Sequence, residues 1–251
     1  MSNDLTPTDD YFAGLDHDWD LDGDGLYGES RWNSTTGKDE TDLMYDIFVG
    51  RIPANGPLDV DRMVNKIITL ECLTPSMQCV LAGAWLFTEP DCDGAYVKWH
   101  LEDEGGWCAD MEVVRRLYEV SPSFAEATGA WDNLTSSNLR AELETWNITY
   151  LNWCSHGSVA GAWLYKEDKT FASGGLFKTL ENRYYPVVFA MSCLTGAFDA
   201  KEKGAKEGDS LAESATALAP RGAVAYIGAS RVTWGHSGGN NNVTALWGTV
   251  V

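Results

Sequence analysis

The sequence predicts an α/β fold, with a mainly parallel, doubly wound sheet and helices on both faces. Short apolar runs, which are typical of buried strands, alternate along the chain with segments whose apolar residues recur at helical spacing. This alternation is typical of strand–helix–strand units in a parallel sheet. The predicted strands are residues 46–52, 80–84, 148–151, 186–190 and 223–227, and the predicted helices are residues 59–73, 136–146, 174–181 and 210–219.

The first regular elements follow a long loop-rich segment. Residues 1–45 are dominated by Asp, Gly, Ser and Thr and show little periodicity. Residues 46–52 form an apolar run that ends at Pro53, which favours a strand. Apolar residues at helical spacing follow over residues 59–73, with Asp59 as a candidate N-cap.

The chain then changes to uncharged apolar segments separated by polar ones. Residues 80–84 are the next predicted strand, and residues 97–118 contain helical stretches around a Gly-Gly break. Residues 136–146 begin with Ser-Ser-Asn, which favours a helix start. The natural boundary precedes the strand, so we expect two subdomains, residues 1–75 and residues 76–251.

Composition excludes several classes of protein. The chain has 251 residues and 44% hydrophobic content, which is enough for a core. Its formal net charge of −19 argues against a nucleic-acid partner, which would need clustered Lys and Arg. The longest uncharged apolar stretch, residues 186–194, is far shorter than the ~20 residues that span a bilayer. The first residues lack a basic head and an apolar segment, so we expect no signal peptide in this chain.

Two short strings carry the candidate chemistry, and each follows a predicted buried strand. Asn-Trp-Cys-Ser-His-Gly-Ser contains His156, and Met-Ser-Cys-Leu-Thr-Gly contains Cys193. Reactive groups collect beyond the carboxyl ends of parallel strands, and a His and a Cys there suit proton transfer and nucleophilic attack. We therefore predict a cysteine peptidase site. Cys154 is the competing thiol, but it lies on the His strand and is the poorer candidate.

Other segments accompany these strings in a fixed order. They are Pro-Thr-Asp-Asp-Tyr-Phe from residue 7, Phe-Val-Gly-Arg-Ile-Pro-Ala from residue 48, Leu-Ala-Glu from residue 211, and Gly-Ala-Val-Ala-Tyr-Ile-Gly-Ala-Ser from residue 222, continuing to Trp234. The ordered set resembles the gingipain-type cysteine peptidases, within the wider caspase/legumain-like group. The caspase signature around the Cys is absent, so the gingipain branch fits better.

The resemblance implies a caspase-like fold and a Cys-His dyad. In this interpretation Cys193 attacks the scissile carbonyl and His156 protonates the leaving amine. The resemblance implies backbone N–H groups of Gly157 and Cys193 as the oxyanion hole. Some relatives place a Glu beside the catalytic His, where this chain has Trp85, so that carboxylate is either absent or supplied from elsewhere. The resemblance also implies that the first subdomain is incomplete and that the second is cut at its C-terminus.

The resemblance further implies a preference for a basic P1 side chain. The pocket wall would be the loop from Ser230 to Trp234, and the pocket acid would come from the acidic loop after residues 80–84. Asp91 and Asp93 are the preferred candidates, although a surface turn would explain this loop equally well.

A calcium-binding pattern lies in the first subdomain. The segment from residue 18 to residue 29 matches D-x-D-x-D-G-x5-E in full. Alternating carboxylates with Gly at position six allow a tight loop to wrap a hard cation. No convincing helix precedes the segment, so a solitary calcium loop is favoured over an EF-hand, and a salt-adapted surface is the alternative. The predicted ligands of a structural Ca²⁺ are Asp18, Asp20, Asp22, Asp24 and Glu29.

The combined prediction is a calcium-stabilised cysteine endopeptidase that acts on polypeptides and prefers a basic P1 residue. A non-catalytic, calcium-dependent binding or scaffold module on the same fold, and a sortase-like transpeptidase, remain as alternatives. We expect the full-length protein to be extracellular or at the cell surface. Cys92 and Cys108 form a disulfide or remain free thiols, and the sequence leaves the oligomeric state open.

Overall fold

The protein is represented by a computed structural model. It describes residues 9–25, 27–28, 39, 44–74, 77–87, 93–103, 108–119, 132–165, 169–199, 208–238 and 242–247.

The described residues contain strands in three sheets and helices between them. In chain order the strands are β1 (Gln78–Gly83), β2 (Val113–Tyr118), β3 (Asp132–Asn133), β4 (Tyr150–Cys154), β5 (His156–Ser158), β6 (Gly161–Trp163), β7 (Thr170–Ser173), β8 (Val187–Met191), β9 (Ala225–Gly228), β10 (Trp234–Gly238) and β11 (Asn242–Trp247). The helices are α1 (Asp10–Ala13), α2 (Pro57–Cys72), α3 (Asp93–Asp103), α4 (Ser136–Thr145), α5 (Gly174–Lys178) and α6 (Leu211–Ala215).

The main sheet is parallel and has a point where its strand order reverses. Among the described strands its order is β3-β2-β1-β4-β8-β9, and every neighbouring pair is parallel. The chain adds β2 and β3 on one side of β1 and places β4 on the other side. In open α/β sheets, ligands bind outside the carboxyl ends of the strands at such a switch point. The crevice between β1 and β4 is therefore the expected location of a site.

Helices cover both faces of this sheet, which confirms the predicted fold class. Side chains alternate along β1, so Val80 and Ala82 join the larger core cluster while Cys79 and Leu81 join the smaller one. The larger cluster contains residues of α4, α5 and α6, and the smaller one contains Ala95 of α3. The fold is thus doubly wound around β1 and β4.

The chain divides into two compact units, residues up to Arg51 and residues from Ile52 to Val250. Helix α2 groups with the second unit, whereas the sequence placed the subdomain boundary after this helix. Lys66 of α2 makes contacts within this second unit: it is 1% exposed and donates from Nζ to the carbonyl oxygens of Ala219 at 3.2 Å and Arg221 at 3.0 Å. Contacts between segments this far apart in sequence leave no local pattern. The two-subdomain organisation as a functional division stays a prediction.

Three local predictions differ from the structure. Within the described residues 44–54 no strand forms, and the N–H groups of Asp46 and Ile47 donate to the carbonyl oxygen of Ala13 instead of to a partner strand. The region 97–118, predicted as helical, contains the end of α3 and then strand β2. Helix α2 begins with Pro57 after the N-cap Gly56, so the Asp at residue 59 lies in its first turn.

In the described part of the chain, no helix combines the length and hydropathy needed to cross a bilayer.

Candidate active site

The His and Cys strings follow β4 and β8, which are neighbouring parallel strands. Cys154 pairs with Met191 at the end of this ladder, so His156 and Cys193 each lie two residues beyond the same register pair. The N–H of Ser155 donates to the carbonyl oxygen of Met191 at 3.1 Å, which continues the contact beyond the last pair. The two strings therefore meet at the carboxyl edge of the sheet, where a site is expected.

Gly157 lies directly against the Cys string. A Cβ atom at this position would lie 2.6 Å from the carbonyl oxygen of Cys193 and 2.9 Å from Cβ of Ser192. A larger residue would push the two strings apart, so the close approach requires glycine. Behind this contact, the indole Nε1 of the buried Trp153 donates to Oγ of Ser192 at 3.0 Å and ties β4 to the residue before Cys193.

The sulfur of Cys193 contacts Thr233, in the loop before β10. The N–H of Thr233 donates to Sγ at 3.4 Å, and the Thr233 hydroxyl lies 3.3 Å from the same atom. The Thr233 carbonyl oxygen lies 3.5 Å from the same sulfur and accepts from the thiol, so Thr233 fixes the position of Sγ. Leu194 follows with φ 60°, in the left-handed region that non-glycine residues rarely adopt. Its N–H donates to the carbonyl oxygen of Arg231 at 3.1 Å, so the chain turns sharply just after the thiol.

The imidazole of His156 is held by a backbone carbonyl and three aromatic rings. Its Nε2 lies 2.9 Å from the carbonyl oxygen of Leu86. Because a carbonyl oxygen only accepts, Nε2 must carry the hydrogen, and Nδ1 is the basic nitrogen of the neutral ring. Tyr165 and Trp163 stack on the imidazole at centroid distances of 5.7 and 6.4 Å, and Phe87 meets it edge-on at 6.5 Å. The imidazole is therefore packed against aromatic rings as well as hydrogen-bonded to the backbone.

Two buried carboxylates hold the loop that presents the Leu86 carbonyl. Asp93, at the start of α3, is 2% exposed, and its Oδ1 and Oδ2 accept the N–H groups of Leu86 at 3.2 Å and Phe87 at 3.0 Å. Glu119, directly after β2, accepts the N–H of Trp85 at 3.0 Å. Acidic side chains therefore bind three consecutive amides of this loop.

Trp85 stands where some relatives were expected to have a Glu. Its side chain is buried in the smaller core cluster, and its indole N–H donates to the carbonyl oxygen of Glu119. The Glu119 carboxylate also accepts the N–H of Tyr165 at 3.1 Å. Glu119 thus connects the loop after β1 to the segment whose ring stacks on His156. Glu119 acts on this loop through backbone amides.

The structure distinguishes the two thiols of the strings. Cys154 is completely buried, and burial raises the pKa of its thiol to about 11, although the nearby Lys98 acts in the opposite direction. Lys98 is itself buried and donates from Nζ to Oδ1 of Asn152 at 2.5 Å. A thiol that is inaccessible and protonated at neutral pH is a poor nucleophile. Cys193, which is partly exposed, is the better candidate.

The structure describes some of the predicted substrate-contact residues and not others. Ser230 is fully buried, and the backbone of Trp234 begins β10, with its side chain outside the described part of the structure. Asp91 also lies outside the described residues. Asp93 is described, and each of its carboxylate oxygens accepts a backbone amide N–H, from Leu86 and from Phe87. Cys108 is a free thiol, and Cys92 lies outside the described residues.

Four residues near His156 and Cys193 were not predicted from the sequence. Glu119 follows a strand, as His156 and Cys193 do, and the strand-end argument finds it once 113–118 is recognised as a strand. Thr233 directly precedes Trp234, which the resemblance had singled out. Leu86 contributes only a backbone carbonyl and Tyr165 a ring, and neither leaves a sequence signal.

The acidic loop brings some of the predicted metal ligands together in the first unit. Carboxylate oxygens of Asp20, Asp22 and Asp39 all lie within 4.8 Å of one another. Asp39 is not part of the predicted pattern, and its Oδ1 accepts the N–H of Leu21 at 2.9 Å. Gly23, at position six of the pattern, has φ 72°, a conformation that glycine adopts without a steric penalty.

The remaining predicted ligands lie outside this triplet. Asp18 accepts the N–H of Asp20 at 3.0 Å, and the N–H of Asp24 donates to Asp22 at 3.3 Å. Glu29 lies outside the described residues. Oxygen ligands in a loop of this kind are of the type that Ca²⁺ prefers.

Comparisons with known proteins agree with this architecture. The solved structure of gingipain R, described as an Arg-specific cysteine proteinase, is similar with a TM-score of 0.54 and 16% identity over 76% of this chain and 41% of that chain. A second structure, described as a protease, has a TM-score of 0.51 and 19% identity over 72% of this chain and 36% of that chain. The chain thus spans well under half the length of these proteins, and the likeness establishes a shared fold.

Among curated proteins, none matches this chain. The model of peptidase family C25, in contrast, matches residues 2–250. A match over nearly the whole sequence, on a gingipain-like sheet with the His and Cys strings side by side, establishes that the chain belongs to peptidase family C25.

Proposed function

We propose that this chain carries the active site of a cysteine endopeptidase, with Cys193 as the nucleophile and His156 as the proton-transfer group. One observation carries the proposal. His156 and Cys193 lie two residues beyond one register pair of adjacent parallel strands, and Gly157 contacts the backbone of Cys193. The partly exposed sulfur and the aromatic surroundings of His156 support the assignment of roles.

In the proposed acylation, His156 first takes the thiol proton of Cys193. The resulting thiolate attacks the carbonyl carbon of the scissile peptide, and the carbonyl electrons move to its oxygen. Backbone N–H groups of Gly157 and Cys193 are the proposed donors to this oxyanion. The intermediate collapses, the C–N bond breaks, and the imidazolium of His156 gives its proton to the leaving amine.

Hydrolysis of the thioester completes the cycle. Neutral His156 accepts a proton from water, which attacks the thioester carbonyl carbon. The C–S bond then breaks, the acid product leaves, and Cys193 receives the proton. The Nε2 hydrogen bond to Leu86 leaves Nδ1 as the nitrogen that exchanges this proton.

We also propose a basic residue at P1, with Asp91 as the pocket acid. The resemblance to gingipain-type enzymes supports this specificity, as does the description of gingipain R as Arg-specific. Asp91 and Asp93 are the candidates that the resemblance favours, and we prefer Asp91 because both oxygens of Asp93 already accept backbone amides.

A series of acyloxymethyl ketone probes that differ only at P1 tests this function. We expect Arg and Lys probes to label the chain at Cys193, at least about tenfold faster than matched Leu and Asp probes. Mass spectrometry of the labelled peptide identifies the modified residue. Labelling at Cys193 without P1 preference would remove the specificity and keep the peptidase, whereas no labelling at Cys193 by any probe would argue against both.

We further propose that the acidic loop binds one structural Ca²⁺. The oxygen triplet of Asp20, Asp22 and Asp39 supports this, and Asp18, Asp24 and Glu29 complete the proposed ligand set. The ion would offset the mutual repulsion of these carboxylates and order the first unit. An extracellular location, where calcium is plentiful, fits the proposal and stays a prediction.

Calcium should raise the thermal midpoint of the first unit. Binding to the native state alone stabilises by about 2.7 kcal/mol at a hundredfold excess over Kd. Melting curves with calcium, magnesium or chelator at constant ionic strength measure the shift. Asp20→Asn should remove it, while Asp61→Asn, an exposed carboxylate on α2, should retain it. An unchanged midpoint in chelator would leave this loop as a solvated acidic surface.

A further inference from the structure

A single peptide group lies between the imidazole of His156 and the carboxylate of Asp93. The carbonyl oxygen of Leu86 accepts from Nε2 of His156 at 2.9 Å. The N–H on the other side of the same peptide bond, that of Phe87, donates to Oδ2 of Asp93 at 3.0 Å. Imidazole, peptide group and carboxylate therefore form one continuous hydrogen-bonded chain.

This series of hydrogen bonds allows the carboxylate of Asp93 to polarise the peptide group and to hold it in place. A carboxylate that accepts an amide N–H polarises the amide, and the carbonyl oxygen of that amide becomes a stronger acceptor. The effect is larger where water is excluded, and Asp93 and Leu86 are 2% and 5% exposed. A stronger acceptor at Leu86 strengthens the hydrogen bond that it accepts from Nε2 of His156 and so holds the ring more firmly.

The surrounding contacts keep this peptide group in place. Oδ1 of Asp93 accepts the N–H of Leu86 at 3.2 Å, and Glu119 accepts the preceding N–H of Trp85 at 3.0 Å. The start of α3 is equally constrained, because a Cβ at Gly94 would overlap the backbone of Ala84 and lie 2.9 Å from the carbonyl oxygen of Cys154. The Leu86 carbonyl can therefore not rotate away from His156 without breaking bonds to buried carboxylates.

Both oxygens of Asp93 accept amides that precede α3, at Leu86 and Phe87. Its described hydrogen bonds thus serve the loop beside His156. This separates Asp93 from an acid that only caps its own helix.

We propose that Asp93 is a positioning residue for His156 and acts through the Leu86–Phe87 peptide group. It takes the place, at a distance of one peptide bond, of the carboxylate that relatives were expected to have beside the His. The inference rests on the proposed function, since the imidazolium matters only if His156 protonates a leaving group.

Paired substrates test the proposal in Asp93→Asn, which keeps the shape and removes the charge. An amide substrate needs a proton on its leaving amine, whereas a nitrophenyl ester with the same acyl group hardly does. We expect kcat for the amide to fall about tenfold with little change in KM, and kcat/KM for the ester, which reports its acylation, to fall less than about threefold. Asp93→Glu should recover part of the amide activity. The matched control is Glu102→Gln, on the same helix, which removes an ion pair with Arg116.

A spectroscopic measurement separates this proposal from the proposed function. In protein with isotope-labelled histidine, the Nε2 proton of His156 should move upfield in Asp93→Asn and stay in place in Glu102→Gln. This readout decides the proposal even if the chain hydrolyses nothing. Equal losses for amide and ester, equal losses in both variants, or an unmoved Nε2 proton would each overturn it.

Discussion

Replacing Cys193 with alanine should abolish peptide hydrolysis, by at least about a thousandfold in kcat. The thiol forms the covalent bond to the acyl group in the proposed mechanism, and alanine has no atom that replaces it. Steady-state hydrolysis of a P1-Arg or P1-Lys amide measures the loss, and covalent labelling by the matching ketone should disappear with it. Because alanine removes the contact between the sulfur and Thr233, circular dichroism and a melting curve should be recorded as well, and we expect both to show a folded variant.

Cys154→Ala is the matched control because this thiol lies on the neighbouring strand. It is completely buried, and burial raises its pKa to about 11, so it should contribute nothing to labelling. The variant loses some buried volume and should be less stable, with most of the activity retained. If Cys154→Ala were inert and Cys193→Ala still labelled, the assignment of the nucleophile would be reversed.

His156→Gln should reduce amide hydrolysis by about 10²- to 10⁴-fold, which is the usual contribution of a general acid and base. Glutamine fills a similar volume and cannot carry the proton to the leaving amine. Ester hydrolysis should fall less in acylation, because a nitrophenolate leaves without protonation. The kcat/KM values for both substrates, which report the steps up to acylation, separate the two effects when measured on one preparation.

His17→Gln serves as the control for this variant. His17 lies in the first unit, and its Nδ1 is 2.6 Å from Oδ1 of the neighbouring Asp16. We expect activity within about twofold of the unmodified protein, as is usual for an exposed substitution. A loss in His156→Gln no larger than in His17→Gln would show that His156 takes no part in the chemistry.

The strand that the sequence missed shows why some elements escape local reasoning. Strand β2 carries Arg115 and Arg116 at its centre, and charges in an apolar run argue against a buried strand. In the structure Arg115 pairs with Glu142 and lies over the ring of Trp146, while Arg116 pairs with Glu102. These partners come from other elements, so only the tertiary structure shows how the charges are compensated.

The contacts around His156 also come from distant segments and could not be predicted from local sequence patterns. The resemblance implied Asp93 as a candidate pocket acid. Its carboxylate binds the amides of Leu86 and Phe87, groups that no sequence pattern marks. Glu119 was not singled out, since its strand was not recognised.

The amino-acid sequence was sufficient to predict the fold class, the strand ends that carry His156 and Cys193, and the family. These depend on short-range features: apolar runs of strand length, Gly beside the reactive residue, and motifs in a fixed order. The folded structure was needed to learn which strands are neighbours, which thiol is exposed, and which acids hold the loop beside the imidazole. Burial, hydrogen bonds to backbone groups and ion pairs between distant segments exist only once the chain has folded, because they join atoms whose sequence separation carries no periodic signal.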